Sequence, residues 1–275
     1  MKIAIITDSS SGIPNISAVK DLFLVPLMIS KEDGSQVADD ESFKSDEFYE
    51  LNDSQILKTS QSVPGMMMSK WDELLKEYDQ IVCILLSKGL SGQYNTCKML
   101  SKEDEYNGKV FVADSNGVST VLRIQVELAL KLANEGKTGE EIEKAIEESN
   151  DKFSLLIIPK SLDQLVRGGR ISKAAAGLAK FLKITPILSY DGKIDKHGKE
   201  RTFKKAIEES INHLKEFGKN TFIDVSYSRI DAEHLEVVKN LIKDAGFEIR
   251  LFDELPNTVI CHTGRQTVAL ATWKK

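Results

Sequence analysis

Residues 81–97 read IVCILLSKGLSGQYNTC, and this stretch decides how the rest of the chain is read. Residues 81–86 form an unbroken apolar run that Ser87 and Gly89 close. A run of that length without polar alternation is expected of a strand buried on both faces, as in a parallel sheet. Ser91-Gly92 then opens a segment predicted to be helical through Leu100. Free N–H groups at such a helix start, with the Ser91 hydroxyl beside them, make an anion site. The order Gly89-Leu90-Ser91-Gly92-Gln93 also approaches the nucleophile elbow G-x-S-x-G, with Gln93 in the place of the second glycine. Asp114 and His262 follow in the order Ser…Asp…His, so a serine hydrolase or acyltransferase using Ser91 and His262 is the alternative function.

Working outward, residues 2–6 and 109–113 repeat the apolar, β-branched texture of strands. Residues 66–78 place Met67, Trp71, Leu74, Leu75 and Tyr78 at helical spacing, with Pro64 near the start, where a missing N–H costs little. Residues 118–134 and 139–150 are further helices, whereas residues 30–55 are acidic and irregular, with a short helix around 46–51. Strand followed by helix, repeated, predicts parallel pairing through right-handed crossovers. Beyond Phe153 the expected strands are 154–158, stopped by Pro159, then 220–227 and 247–252. The expected helices there are 172–183, 203–217 and 231–245, the last capped by Gly246, and residues 186–188 lead into a hairpin at Asp191-Gly192. The fold class is therefore α/β, with two α/β domains. Residues 1–153 form an N-terminal domain with a Rossmann-like, mainly parallel sheet. Residues 154–275 form a C-terminal domain with a mixed sheet, the last residues packing back on the first.

Composition sets the outer limits. A chain of 275 residues corresponds to about two domains. With 41% hydrophobic and 29% charged residues it has globular composition. A net charge of −5 argues against a groove that tracks a phosphate backbone, so nucleic acid is not an expected partner. The apolar runs fall short of the roughly 20 residues that span a bilayer, and the apolar start is too brief for a signal-peptide core; no stable membrane anchor is expected. Cys83, Cys97 and Cys261 stand at wide spacings without C-x-x-C, a usage suited to a reducing cytoplasm.

Five polar or glycine-bearing segments sit at expected loops: residues 7–10, 59–62, 87–92, 114–117 and 261–264. In open α/β sheets ligands bind beyond the carboxyl ends of strands, where such loops converge, although Ser/Asp/Gly turns are also ordinary N-caps. Arg167-Gly168-Gly169-Arg170-Ile171-Ser172 reads either as a structural turn or as an anion or partner contact, for which a planar guanidinium is suited. Met66-Met67-Met68 suits plain core or the wall of a pocket for flexible apolar chains. His197 and His213 read as surface positions, and Cys261 with His262 lacks the further ligands of a metal site. No G-x-x-x-x-G-K-[ST], G-x-G-x-x-G or H-E-x-x-H occurs.

The ordered set TDSSSGIP, TSQSVPG, LSKGLSGQYNTC, VADSNGVS, LDQLVRGGRISKAAAGLAKFLKITPIL, DGKI and CHTG spans the whole chain and resembles the DegV family of bacterial fatty-acid-binding proteins. The resemblance implies two α/β domains with one long-chain fatty acid, such as palmitate or oleate, between them. It implies no other cofactor and no metal. It further implies a cytoplasmic acyl carrier without turnover of its own, which presents the carboxyl to a fatty acid kinase for acyl phosphate formation and phospholipid synthesis. By motif, Thr59 and Ser91 are the expected carboxylate-binding hydroxyls; Ser60, Gly92, Arg170 and His262 are expected at the head group or facing the kinase. Where the family continues H-T-G with small residues, Arg265-Gln266-Thr267-Val268-Ala269 stand here, and are expected to narrow the tunnel mouth or alter the kinase contact. Burying about fourteen methylenes is worth on the order of 11 kcal/mol before ordering costs, enough to hold such a ligand without a covalent bond. An unpaired buried carboxylate would undo much of that gain, so the site has to supply donors.

Overall fold

A computed structural model describes residues 1–181, 183–219 and 221–274. It divides into two compact units, residues 1–151 with 256–258, and residues 152–255 with 259–275.

The first unit contains β1 (Ile3–Thr7), β2 (Leu22–Leu24), β3 (Met28–Ser30), β4 (Gln36–Ala38), α1 (Ser45–Ser54), β5 (Lys58–Ser60), α2 (Pro64–Leu74), β6 (Gln80–Ile84), α3 (Gln93–Leu100), β7 (Val110–Ala113), α4 (Thr120–Asn134) and α5 (Gly139–Glu147). A four-stranded sheet of order β2-β1-β6-β7 is parallel throughout. Its inner strands are apolar on both faces because helices cover both. Ala4, Ile6, Ile81, Cys83, Val110 and Val112 pack with Met67, Trp71 and Leu74 of α2 and Cys97 of α3. The alternate residues Ile3, Ile5, Val82 and Ile84 pack with Leu122 and Val126 of α4 and Ile142 and Ile146 of α5. The side-chain period of two thus assigns each strand residue to one of two cores. Of the methionine triplet, Met67 is core, Met68 packs partly against it and Met66 is exposed.

The acidic stretch expected to be irregular carries more order than its composition suggests. Strands β4, β3 and β5 form a small antiparallel sheet, with Ile29 opposite both Val37 and Thr59, and α1 is longer than the expected short helix.

The second unit contains β8 (Phe153–Ile158), α6 (Asp163–Gly168), α7 (Lys173–Ala176), β9 (Thr185–Tyr190), β10 (Ile194–Glu200), α8 (Phe203–Gly218), β11 (Phe222–Tyr227), α9 (Ala232–Asp244) and β12 (Glu248–Glu254). Helix α10 (Asn257–Thr263) and strand β13 (Val268–Trp273) complete the chain. The six-stranded sheet has the order β10-β9-β8-β13-β11-β12 and is mixed: β11 and β12 run parallel and the other neighbours antiparallel. Leu156, Ile158, Ile187, Ile223, Val225 and Leu270 from the strands meet Ile207, Ile211 and Leu214 of α8 and Val238 and Ile242 of α9. The hairpin turns at Gly192, whose φ of 71° is the left-handed conformation that glycine adopts freely.

Two readings need correction here. The helix expected over 172–183 is only the single turn of α7 followed by a 3-10 turn at Gly177–Lys180. Gly177 weakens the helix, and Phe181 is already extended in backbone. His197 of β10 and His213 of α8 are not free surface positions: their rings meet edge to face at 4.6 Å, and His213 Nε2 lies 3.3 Å from Ser154 Oγ. Leu182 in the expected helix, Asn220 at the expected start of β11, and Lys275 lie outside the described residues.

Candidate functional site

In the first unit the loops that follow β1, β6 and β7 are laced together at the carboxyl ends of the parallel strands. Asp8, directly after β1, is wholly buried. Its carboxylate accepts from Ser10 N–H at 3.0 Å, Ser10 Oγ at 2.5 Å and Leu86 N–H at 2.8 Å. Burial outweighs these hydrogen bonds and lifts the carboxyl above its ordinary value of 3.8. Ser115 Oγ donates to Leu85 O at 2.6 Å, Ser87 N–H to Gly117 O at 3.0 Å, and Ser119 N–H to Ser10 O at 2.7 Å. Three glycine- and serine-rich turns that look like separate caps in the sequence are therefore one hydrogen-bonded rim.

Ser91 and Thr59 sit on two segments, the turn before α3 and strand β5. Ser91 precedes α3, and its Oγ accepts Gln93 N–H at 3.2 Å. Thr59 lies in the middle of β5, half-buried, while Ser60 is exposed. The two segments are joined in two places. Thr96 Oγ1 of α3 donates to Gln61 Oε1 at 3.1 Å, and that same oxygen is 3.3 Å from where a Cβ on Gly92 would stand. Gln93 Oε1 accepts Ser62 N–H, and Gln93 Nε2 donates to Ser62 Oγ, both at 2.8 Å. Gln93, Ser62 and Asp8 form the buried backing of this site, and their roles were not read from the sequence. The one available signal was Gln93 itself, a bulky amide where the elbow pattern places glycine.

Arg170 and His262 belong to the second unit. The turn after α6 places Gly169 at φ 68° as its cap, and Arg170 Nη1 donates to Gly168 O at 2.6 Å. A Cβ on Gly168 would stand 2.4 Å from His262 Nδ1, so the glycine is what lets the imidazole pack there. Burial first, and the nearby Arg170 guanidinium second, push the His262 imidazole down to about 4, so the ring is neutral at physiological pH. After the CHTG turn, Gln266 adopts φ 54° and Thr267 Oγ1 donates to Thr263 O at 2.9 Å. Arg265, Gln266 and Thr267 thus turn the chain straight into β13.

Asp114, second in the Ser…Asp…His order, is engaged by the ammonium of Lys88. The three cysteines are buried and form no disulfide with one another. Among the described residues no three His, Cys, Asp or Glu side chains gather as a metal site, and no helix is long and apolar enough to cross a membrane.

This architecture has close counterparts. A staphylococcal DegV domain-containing protein, from Staphylococcus aureus, is 30% identical over 278 residues, covering 98% of both chains. A fatty-acid-binding DegV family protein from Streptococcus agalactiae superposes with a TM-score of 0.86 at 26% identity, covering 100% of this chain and 99% of its own. A fatty-acid-binding DegV family protein from Thermus thermophilus superposes with a TM-score of 0.88 at 25% identity, with both chains covered in full. The sequence pattern described as "Uncharacterised protein, DegV family" matches residues 2–275, and the chain belongs to the DegV family.

Proposed function

We propose that this protein binds one long-chain fatty acid non-covalently and carries it without turning it over. The carboxylate is received by the Thr59 and Ser91 hydroxyls and by the N–H groups before α3. The observation that carries the reading is the pairing of the Thr59 and Ser91 segments through Gln61–Thr96 and Ser62–Gln93 in a chain whose whole-length structural relatives bind fatty acids. Neutral hydroxyl and amide donors suit an anion that must be released again, because they compensate its desolvation without a salt bridge.

The acyl chain, in this reading, is buried in the protein and supplies most of the affinity. The head group stays open to a fatty acid kinase, which forms the acyl phosphate for phospholipid synthesis in the bacterial cytoplasm. Arg170 and His262 serve the head group or the kinase contact, as do Ser60 and Gly92. Palmitate and oleate are both suitable ligands.

Equilibrium binding of palmitate to Ser91→Ala tests the site. The expected loss is about 1–3 kcal/mol, from a carboxylate left with one donor fewer. Unchanged affinity would remove Ser91 from it. Arg170→Ala is expected to impair kinase-dependent acyl phosphate formation; normal processing of the variant would refute the partner role.

A further inference from the structure

We propose that Gln93 is the positioning residue of the carboxylate site, setting the separation of the Thr59 and Ser91 hydroxyls; this rests on the fatty-acid reading above. Gln93 reaches both segments at once. Its backbone N–H holds Ser91 Oγ at 3.2 Å, while its carboxamide takes Ser62 N–H and gives to Ser62 Oγ, three residues beyond Thr59. The side chain is 1% exposed, so water does not replace either bond. A primary amide is the group the place requires. It must accept from one neighbour and donate to another, and its Nε2 also lies 3.5 Å from the buried Asp8 carboxylate. Ser62 Oγ in turn donates to Val25 O at 3.0 Å, which anchors the far end of the bracket. Thr59 and Ser91 themselves are half-buried. The geometry separates two tasks: the outer hydroxyls meet the ligand, and the inner amide fixes where they stand.

Two variants read the assignment. Gln93→Met keeps length and volume and removes the hydrogen bonds. Gln93→Glu sets a second acid against Asp8. The probes are palmitate, isotope-labelled at its carboxyl carbon, and hexadecanol, which has the same chain and no carboxylate. Gln93→Met is expected to bind palmitate about tenfold more weakly, with hexadecanol affinity unchanged and the bound carboxyl resonance displaced. Gln93→Glu is expected to be weaker still. Palmitate binding within about twofold of wild type, with the carboxyl resonance in place, overturns the assignment. So does an equal loss of both probes, which marks Gln93 as a support of the fold alone. Should Gln93→Met not fold, Ser62→Ala cuts the same bracket at its other end and is held to the same two probes. A wild-type protein that takes up neither probe overturns the fatty-acid reading itself, an outcome distinct from either failure of Gln93.

Discussion

His262 shows how a single side chain is tuned by its surroundings. Its ring packs against Gly168, in a place that a methyl group would occupy at 2.4 Å, and is desolvated there beside Arg170. The native ring takes a proton only near pH 4, whereas the unfolded chain takes it near the ordinary 6.5. Between those values the unfolded state binds the extra proton, so acidification favours unfolding, by at most on the order of 3 kcal/mol once the interval is crossed. Thermal denaturation from pH 7 to 4 is expected to show a falling melting temperature in the wild type and a shallower fall in His262→Gln; equal slopes would contradict the burial argument. Gly168→Ala is expected to destabilise by about 1–3 kcal/mol, and much less in a His262→Ala background, because the clash is with that ring. The sequence marks Gly168 and His262 as separate motifs, and nothing in their spacing shows that they touch. The same holds for Gln93: its amide bonds Ser62, 31 residues away, and approaches Asp8, 85 away. Such contacts exist only once the strands have brought their ends together.

Elements were legible in proportion to how fully their own residues dictate them. Strands β1, β6 and β7 are apolar on both faces, and that texture leaves few alternatives. Helix α5 is fixed locally by a capping box, in which Thr138 Oγ1 accepts Glu141 N–H and the Glu141 carboxylate accepts Thr138 N–H. Thr138→Ala is expected to cost about 1 kcal/mol, read by chemical denaturation; no change would show that tertiary packing alone holds the helix start. By contrast β13, with the sequence VALATW, was not singled out as a strand, yet it lies between β8 and β11 in the second sheet. Its place there comes from pairing with residues more than a hundred positions earlier, Val268 opposite Ile158 and Trp273 opposite Phe153, which no local pattern announces. Strands β3, β4 and β5 are three residues each, too short for periodicity to register. The alanine-rich stretch after Ser172 misleads in the opposite sense: good helix formers run on, but Gly177 and the extended Phe181 end the regular turns.

For the molecule as a whole, the two larger sheets follow from two kinds of sequence: unbroken apolar strands give the parallel sheet, and the Asp191-Gly192 turn gives an antiparallel hairpin in the mixed one. A motif names Thr59 and Ser91 as candidates in the sequence, whereas the contacts of Gln93 with Ser62 and Asp8 arise only in the fold. The central claim is that these hydroxyls receive the acid end of a long apolar ligand that the protein holds without a covalent bond. Denaturing extraction of freshly purified protein followed by mass spectrometry tests it most directly. The account predicts a free long-chain fatty acid in near-stoichiometric amount and an unmodified polypeptide mass. An acyl adduct on Ser91, or a protein that yields no fatty acid and takes up none when it is offered, would contradict it.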